Sequence, residues 1–280
     1  MRGGVAISVW AVLATGLGAV QVSASPHPGR AASPSCAGET RQDRLAGITP
    51  EGELLLEGLG LARLPGIRLP DDALHRGEAL DWLKARIGQP LDVTVQGGRD
   101  RWNRLPLRAR LGEPQPLDLS HGLVEAGLAL VDPGADSVFC QTELLAFEET
   151  ARERRLGLWA DDRYNPVPVD QAELLNERVG RFVIIEGRVR SVGERKQRTY
   201  LNFGGQWADD FTIIISRKAW IRMAERGISA ASLKGRPLRA RGILQSWQGT
   251  ALTIDLPEMI ERLDDSRPQG DGEDNRRLAR

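Results

Sequence analysis

The most informative stretch of this 280-residue chain reads Ala62-Arg63-Leu64-Pro65-Gly66-Ile67-Arg68-Leu69-Pro70-Asp71. Upstream of it, Glu53–Glu57 and Leu61–Leu64 predict two short strands around the turn at residues 58–60, because apolar and β-prone residues flank two glycines there. The stretch therefore predicts a hairpin that leads directly into a segment carrying two arginines and an aspartate.

The sequence downstream predicts a mixture of strands and helices up to about residue 160. The candidate strands are Asp92–Gln96 and Arg104–Leu111, which alternate apolar and polar residues. The candidate helices are Ala79–Ile87, Leu119–Leu128 and Thr142–Leu156, the last with Thr142 as its N-cap. This segment is a β-rich domain with helices.

Three further segments follow the first in a recognisable order. They are Asp100-Arg101-Trp102-Asn103-Arg104, Gly122–Ala129 and the run ending Leu156-Gly157-Leu158-Trp159. Together with residues 62–71 they resemble the thermonuclease, or staphylococcal-nuclease-like, family. The resemblance implies a five-stranded OB barrel with three helices over residues 45–163.

Active members of that family are calcium-dependent phosphodiesterases that cut DNA and RNA, so the resemblance also implies a site. The two arginines that meet the phosphate match Arg63 and Arg104. Asp71 stands where the family has its activating Glu, and Glu53, aligned with a one-residue shift, stands where it has the first metal-binding Asp. Calcium binds hard oxygen ligands, and a guanidinium fork suits a phosphate, so these residue types fit the chemistry. The catalytic candidates are therefore Arg63, Asp71 and Arg104, with Glu53 and Asp71 as metal ligands and calcium as the cofactor if the protein is catalytic.

Arg68 departs from this pattern, because it stands where the family has a second metal carboxylate. A guanidinium about 4 Å from a divalent cation would repel it by roughly 8 kcal/mol at an effective dielectric of 20. We therefore expect hydrolysis to be weak, altered or lost. The alternative interpretation is structural: Arg63 and Arg104 form ion pairs, and Arg68 neutralises Glu53 and Asp71 in place of the metal.

Residues 175–263 predict a second, smaller OB-like barrel. Five strand candidates surround one helix, Lys218–Arg226, between the third and fourth strands, which is the order of an OB fold. The strand candidates are Phe182–Val192, Tyr200–Phe203, Phe211–Ser216, Leu238–Gln245 and Ala251–Asp255.

Charge and aromatic residues indicate a nucleic-acid-binding surface. The formal net charge of the whole chain is zero, but residues 37–163 sum to −6 and residues 164–263 to +5. Basic side chains beside aromatic ones are typical of proteins that bind single strands. The candidate residues for binding single-stranded DNA or RNA are Arg101, Trp102, Arg188, Arg190, Arg198 and Tyr200. The alternative is that the cations serve solubility and the aromatic residues fill the core.

The ends of the chain and its two cysteines predict an exported protein, periplasmic or secreted. Residues 1–24 resemble a signal peptide, with Arg2 before an apolar run; an uncleaved anchor is the alternative. Residues 25–44 are predicted as a linker and 264–280 as a disordered tail. In an oxidising compartment Cys36 and Cys140 are expected to form a disulfide, the alternative being two free thiols. We expect no membrane association after cleavage.

The sequence thus predicts an exported protein that binds nucleic acid through a thermonuclease-like barrel with a degenerate site. One rival is a competent calcium-dependent nuclease in which Asp72 or another oxygen replaces the missing ligand. The other is a non-catalytic interaction module of the cell envelope. We expect no small-molecule cofactor, since no nucleotide-binding glycine loop or catalytic Ser/His/Asp set is apparent.

Overall fold

The computed structural model describes residues 36–112, 114, 116–205 and 210–263. The predicted signal peptide, the tail and residues 25–35 of the predicted linker lie outside these residues. None of the helices in the described part of the chain is long and apolar enough to cross a membrane.

The first half of the described chain builds a barrel with helices around it. In chain order its elements are β1 (Thr40–Ile48), β2 (Leu54–Leu56), β3 (Gly60–Arg63), β4 (Ile67–Arg68), α1 (Ala73–Lys84), β5 (Pro90–Val95), β6 (Leu105–Leu111), β7 (Leu117–Asp118), α2 (Leu119–Glu125), β8 (Leu130–Val131) and α3 (Leu144–Glu153).

The strands of this barrel close on themselves. The order β3-β2-β1-β5-β6 is completed by a parallel pairing of β3 with β6, which joins Ala62 to Leu105. Closure joins the two ends of this five-strand order and turns alternate apolar side chains inward. Leu45, Leu54, Leu91 and Leu107 are fully or almost fully buried. The predicted thermonuclease-like barrel with three helices is confirmed in its architecture.

Several predicted boundaries shift. β1 begins at Thr40, inside the segment predicted as linker, since its exposed early residues carry no apolar pattern. Helix α1 begins at Ala73 rather than Ala79, because Asp72 caps it and its buried face runs through His75, Ala79 and Leu83. Thr142 is not a cap; α3 begins at Leu144 without a side-chain cap.

The second half of the chain builds another barrel. Its elements are β9 (Val167–Pro168), α4 (Ala172–Glu177), β10 (Phe182–Arg188), β11 (Ser191–Glu194), β12 (Arg198–Asn202), β13 (Thr212–Ser216), α5 (Arg217–Glu225), α6 (Ala230–Leu233), β14 (Pro237–Ile243), β15 (Gln245–Ser246), β16 (Thr250–Ile254) and β17 (Ile260–Arg262).

This barrel repeats the strand order of the first. β11, β12 and β13 are antiparallel neighbours, β13 runs parallel to β16, and β14 pairs with β10. The predicted first strand is two strands, because the chain bends at Val189, whose N–H donates to Arg236 O at 3.0 Å. The bend carries the strand from one sheet to the other, as barrel closure requires.

Buried contacts join the two barrels. Arg241 on β14 is fully buried, and its Nη1 donates to Glu148 Oε2 on α3 at 2.6 Å and to Val131 O at 3.1 Å. Met259, which follows β16, packs on Gly134, where an added Cβ would lie 2.7 Å from its methyl group. The second barrel therefore packs on the segment that follows β8.

Cys36 and Cys140 form a disulfide across 104 residues, with their Cα atoms 5.2 Å apart. This prediction is confirmed. The bond ties the start of the described chain to the segment before α3.

Candidate functional site

A cleft of about 410 Å³ opens beside β3 and β4 of the first barrel. It brings together five of the residues predicted from the sequence motifs, and Trp102 stands at its edge. The lining includes Glu53, Arg63, Arg68, Asp71, Trp102 and Arg104. These residues come from three separate stretches of the chain, and barrel closure places them in one cavity.

Arg104 is held by two carboxylates. Its Nε and Nη2 each lie 2.8 Å from Asp100 Oδ2, and its Nη1 donates to Glu53 Oε1 at 3.1 Å. Asp100 also accepts the N–H groups of Trp102 and Arg104, each at 3.0 Å, which shapes the turn. Burial raises the pKa of Asp100, but the hydrogen bonds from Arg104 outweigh it, so the pKa lies below its usual value.

Arg63 is engaged by a carboxylate that sequence reasoning did not identify. Its Nη1 donates to Asp136 Oδ2 at 3.1 Å and its Nη2 donates to Asp136 Oδ1, while Gly66 N donates to the same Oδ2 at 3.1 Å. Arg63 Nε lies 3.5 Å from Asp100 Oδ2, buried and without a hydrogen bond. The two-pronged pairing has the geometry that a guanidinium adopts with a phosphate.

Arg68 pairs with Asp132, and neither Glu53 nor Asp71 is its partner. Its Nε and Nη2 lie 3.0 and 2.9 Å from Asp132 Oδ2, and its guanidinium carbon lies 5.2 Å from the centre of the Phe182 ring. Asp132 is 4% exposed, so Arg68 is its compensating charge. The interpretation that Arg68 neutralises Glu53 and Asp71 is therefore wrong, since the carboxylate that Arg68 pairs with is Asp132. The pairing of β4 with β8 brings Asp132 next to Arg68.

Asp71 and Asp72, the two aspartates before α1, have different surroundings. Asp71 lines the cleft and has no hydrogen bond or ion pair with any residue that the structure describes. Asp72 caps α1 through His75 N at 3.1 Å and accepts the hydroxyl proton of Tyr164. Burial raises the pKa of Asp72, but hydrogen bonds from Tyr164 and His75 bring it well below its usual value. Asp72 is thus engaged by His75 and Tyr164 within the fold.

The donor set of the cleft does not fit the calcium ion that the family resemblance implies. Glu53 Oε1 accepts from Arg104 and Oε2 accepts from Thr49 Oγ1 at 3.1 Å. Arg68 occupies the second ligand position, which leaves Asp71 as the one unpaired carboxylate among the predicted ligands. Calcium requires several hard oxygens at once. Within the described ranges no group of three His, Cys, Asp or Glu side chains is placed to hold a metal ion.

Trp102 stands at the mouth of the cleft with 55% of its surface exposed. The guanidinium carbons of Arg101 and Arg104 lie 3.8 and 4.5 Å from the centre of a Trp102 ring. Cation–π contacts of this kind hold an aromatic plane in place while leaving part of it free to stack.

The remaining predicted residues lie on the second barrel and do not reach the cleft. Arg188 ends β10 and donates to Gly235 O at 2.6 Å, and Arg190 is exposed in the bend between β10 and β11. Arg198 and Tyr200 share the outer face of β12, because the residues between and beyond them are buried. Tyr200 lines a shallow pocket of about 340 Å³.

Sequence reasoning missed four residues at these two sites. They are Asp132, Asp136, Phe182 and Trp247, the last facing the Tyr200 pocket from the β15–β16 turn. The two aspartates do carry a signal, since they sit four residues apart around Pro133 and Gly134, directly after the third motif. Nothing in the local sequence of Phe182 or Trp247 points to a site.

Comparison with known proteins finds one matching family model for part of the first barrel. Residues 63–161 match the family model described as Staphylococcal nuclease homologue. No curated protein matches the chain. The match begins at the last residue of β3 and ends after α3. It includes Arg63, Arg68, Asp71 and Arg104 of the cleft but not Glu53, and it stops before the second barrel. Residues 63–161 are therefore similar to the staphylococcal nuclease homologue family, and the match covers less than half of the chain.

Proposed function

We propose that this protein binds single-stranded nucleic acid through its staphylococcal-nuclease-like domain and has lost calcium-dependent hydrolysis. The Arg68–Asp132 pair carries the loss, because a permanent cation occupies the place of a metal ligand. Binding is supported by the family match and by Trp102, which presents an exposed ring between two guanidinium groups at the cleft mouth.

The second barrel supplies a further surface in this proposal. Tyr200 and Trp247 line one pocket together with Arg195 and Asn202, and Trp247 is 45% exposed. Aromatic rings beside a guanidinium and an amide suit an unstacked base, which offers both a flat face and polar edges. The net charge of +5 over residues 164–263 favours a polyanion on this barrel.

Export belongs to the same proposal. Its support is the Cys36–Cys140 disulfide, since such bonds persist in oxidising compartments. The signal-like sequence of residues 1–24 agrees with it.

The test uses purified protein beginning at Ser25 with labelled single-stranded DNA and RNA, first with calcium and then with a chelator. We expect binding that weakens with salt, is indifferent to the chelator and leaves the strand intact. Chelator-sensitive cutting that disappears in Arg63→Ala would instead establish a competent nuclease. Absence of binding even at low salt would favour the non-catalytic interaction module. The carboxylates that already pair with the arginines of the cleft are consistent with that alternative.

Trp102→Ala is expected to weaken binding of single-stranded DNA about tenfold. Stacking a base on an aromatic side chain contributes about 1–3 kcal/mol, and the exposed ring of Trp102 is the platform at the cleft. Fluorescence anisotropy of a labelled oligonucleotide measures the change. Ile221→Ala is the matched control, because Ile221 is 47% exposed on α5 and lines neither pocket. If Trp102→Ala and Ile221→Ala bind the oligonucleotide with equal affinity, Trp102 is not part of the binding surface.

A further inference from the structure

The segment between β8 and α3 brings a carboxylate from outside the predicted motifs to Arg63, which lines the cleft. Asp136 meets Arg63 with both of its oxygens and accepts the N–H of Gly66 as well. Its side chain is 12% exposed, so the pair is largely shielded from water. The remaining donor of Arg63, Nε, faces Asp100 at 3.5 Å. While Asp136 is in place, both terminal nitrogens of the Arg63 guanidinium are therefore engaged by a carboxylate.

The pairing has the shape of the contact that the domain would make with its ligand. Carboxylate and phosphate both offer a guanidinium two oxygens in one plane, and both bind it through two parallel hydrogen bonds. Two negative groups do not occupy one fork together. Asp136 and a phosphate of a bound strand therefore compete for the same atoms of Arg63.

Several contacts hold this carboxylate in place. Asp132 N donates to Gly66 O at 2.9 Å at the start of the segment, and the Cys140 disulfide ties its end. Between them Phe139 packs on Gly66, where an added Cβ would lie 2.7 Å from the ring, and Met259 of the second barrel packs on Gly134. Because the segment is anchored at both ends and in its middle, the fold itself holds Asp136 beside Arg63. A carboxylate on an unanchored, solvated segment would not be held in this position.

We propose that Asp136 is an internal competitor for phosphate, which keeps Arg63 occupied and limits the affinity of the cleft for nucleic acid. This inference rests on the proposed function and adds a way in which nucleic-acid binding is regulated. The segment of residues 132–141 acts as a plug: a strand binds through Arg63 only when its phosphate displaces the Asp136 carboxylate. The plug also explains why the cleft presents paired guanidinium groups in a domain of a nucleic-acid-binding family.

The test is a double-mutant cycle on binding of a labelled single-stranded DNA oligonucleotide to the full chain. Asp136→Asn keeps an oxygen for Gly66 N but removes the charge, and we expect about tenfold tighter binding, since charge-assisted hydrogen bonds to Arg63 become available to the ligand. In the Arg63→Ala background the same substitution is expected to gain no more than about twofold, because no fork remains to be released.

Glu51→Gln is the matched control for charge. It removes one negative charge from the same cleft but frees no guanidinium, so its gain should stay below about threefold in moderate salt. Thermal unfolding establishes that each variant is folded, and Asp136→Ser, with the same expected gain, serves if Asp136→Asn is unstable.

The outcomes separate this inference from the proposed function. Wild-type binding with no gain in Asp136→Asn, or with the same gain when Arg63 is alanine, overturns the competitor role and leaves the proposed function standing. Failure of every variant to bind at low salt overturns the proposed function itself. A gain that requires Arg63 establishes both.

Discussion

Arg241→Ala is expected to lower the free energy of unfolding by about 3–5 kcal/mol, the cost of breaking a buried ion pair from one side. Arg241 and Glu148 are both fully buried, and their charged groups lie 2.6 Å apart. Removing the guanidinium strands the Glu148 carboxylate in a site that water does not reach. The measurement is urea-induced unfolding followed by circular dichroism.

The surroundings of Arg241 explain why water would not rescue the variant. Burial lowers the pKa of Arg241, but the charges of Glu148 and Glu261 outweigh it and raise the pKa above its usual value. Arg152 is the other cation near Glu148, at 3.8 Å, and burial followed by the charge of Arg239 lowers its pKa to about 10. Arg152 is already paired with Glu149.

Two further variants make the prediction specific. Arg241→Met combined with Glu148→Gln is expected to recover most of the loss, because the pair is then replaced by neutral groups of similar volume. Arg155→Ala breaks an exposed pair with Asp162, in which the two side chains are 60% and 82% exposed, and should leave stability unchanged. An Arg241→Ala protein as stable as wild type would show that the barrels do not depend on this contact.

Replacing both cysteines by serine is expected to lower the free energy of unfolding by about 4–5 kcal/mol. The disulfide spans 104 residues, and a cross-link over so long a loop removes much of the conformational entropy of the unfolded chain. It also fixes the end of the segment that carries Asp136. Unfolding in urea, with and without dithiothreitol, measures the effect.

The reductant provides the internal control for this prediction. Dithiothreitol should destabilise the wild-type protein by about the same 4–5 kcal/mol and leave the double serine variant unaffected. If the serine variant is as stable as the oxidised protein, the disulfide contributes nothing to the free energy of unfolding. Loss of stability that reductant fails to reproduce would point instead to packing of the sulfur atoms.

The barrel architecture and the composition of the cleft follow from local patterns in the sequence. Four short motifs in order predict the first barrel, and the strand-rich pattern after residue 175 predicts the second. Motif residues carry this information because the same turn, cap or close contact demands the same residue type wherever the fold occurs. Gly127 and Gly157 illustrate the point: each would place an added Cβ within 2.3 Å of a carbonyl oxygen on the other side of the contact. Trp159, which ends the fourth motif, is fully buried.

Helix boundaries were less predictable for a reason that the residues show. The apolar spacing of Leu80, Leu83 and Ile87 suggested a helix over residues 79–87, yet α1 ends at Lys84 and Ile87 is 45% exposed. The buried face of α1 includes His75 and Ala79, which a search for large apolar residues passes over. Local hydrophobicity indicates that a helix is present, and packing selects which of its residues are covered.

By itself the sequence predicted that Arg63, Arg104, Glu53 and Asp71 share a site and that Arg68 stands there in place of a metal ligand. Only the tertiary structure decided which carboxylate each arginine meets. Arg63 pairs with Asp136 and Arg68 with Asp132, which are 73 and 64 residues away along the chain. The physical reason is that an ion pair depends on which strands become neighbours, here β4 and β8 with the second barrel packed behind them, and a local motif records no such neighbour.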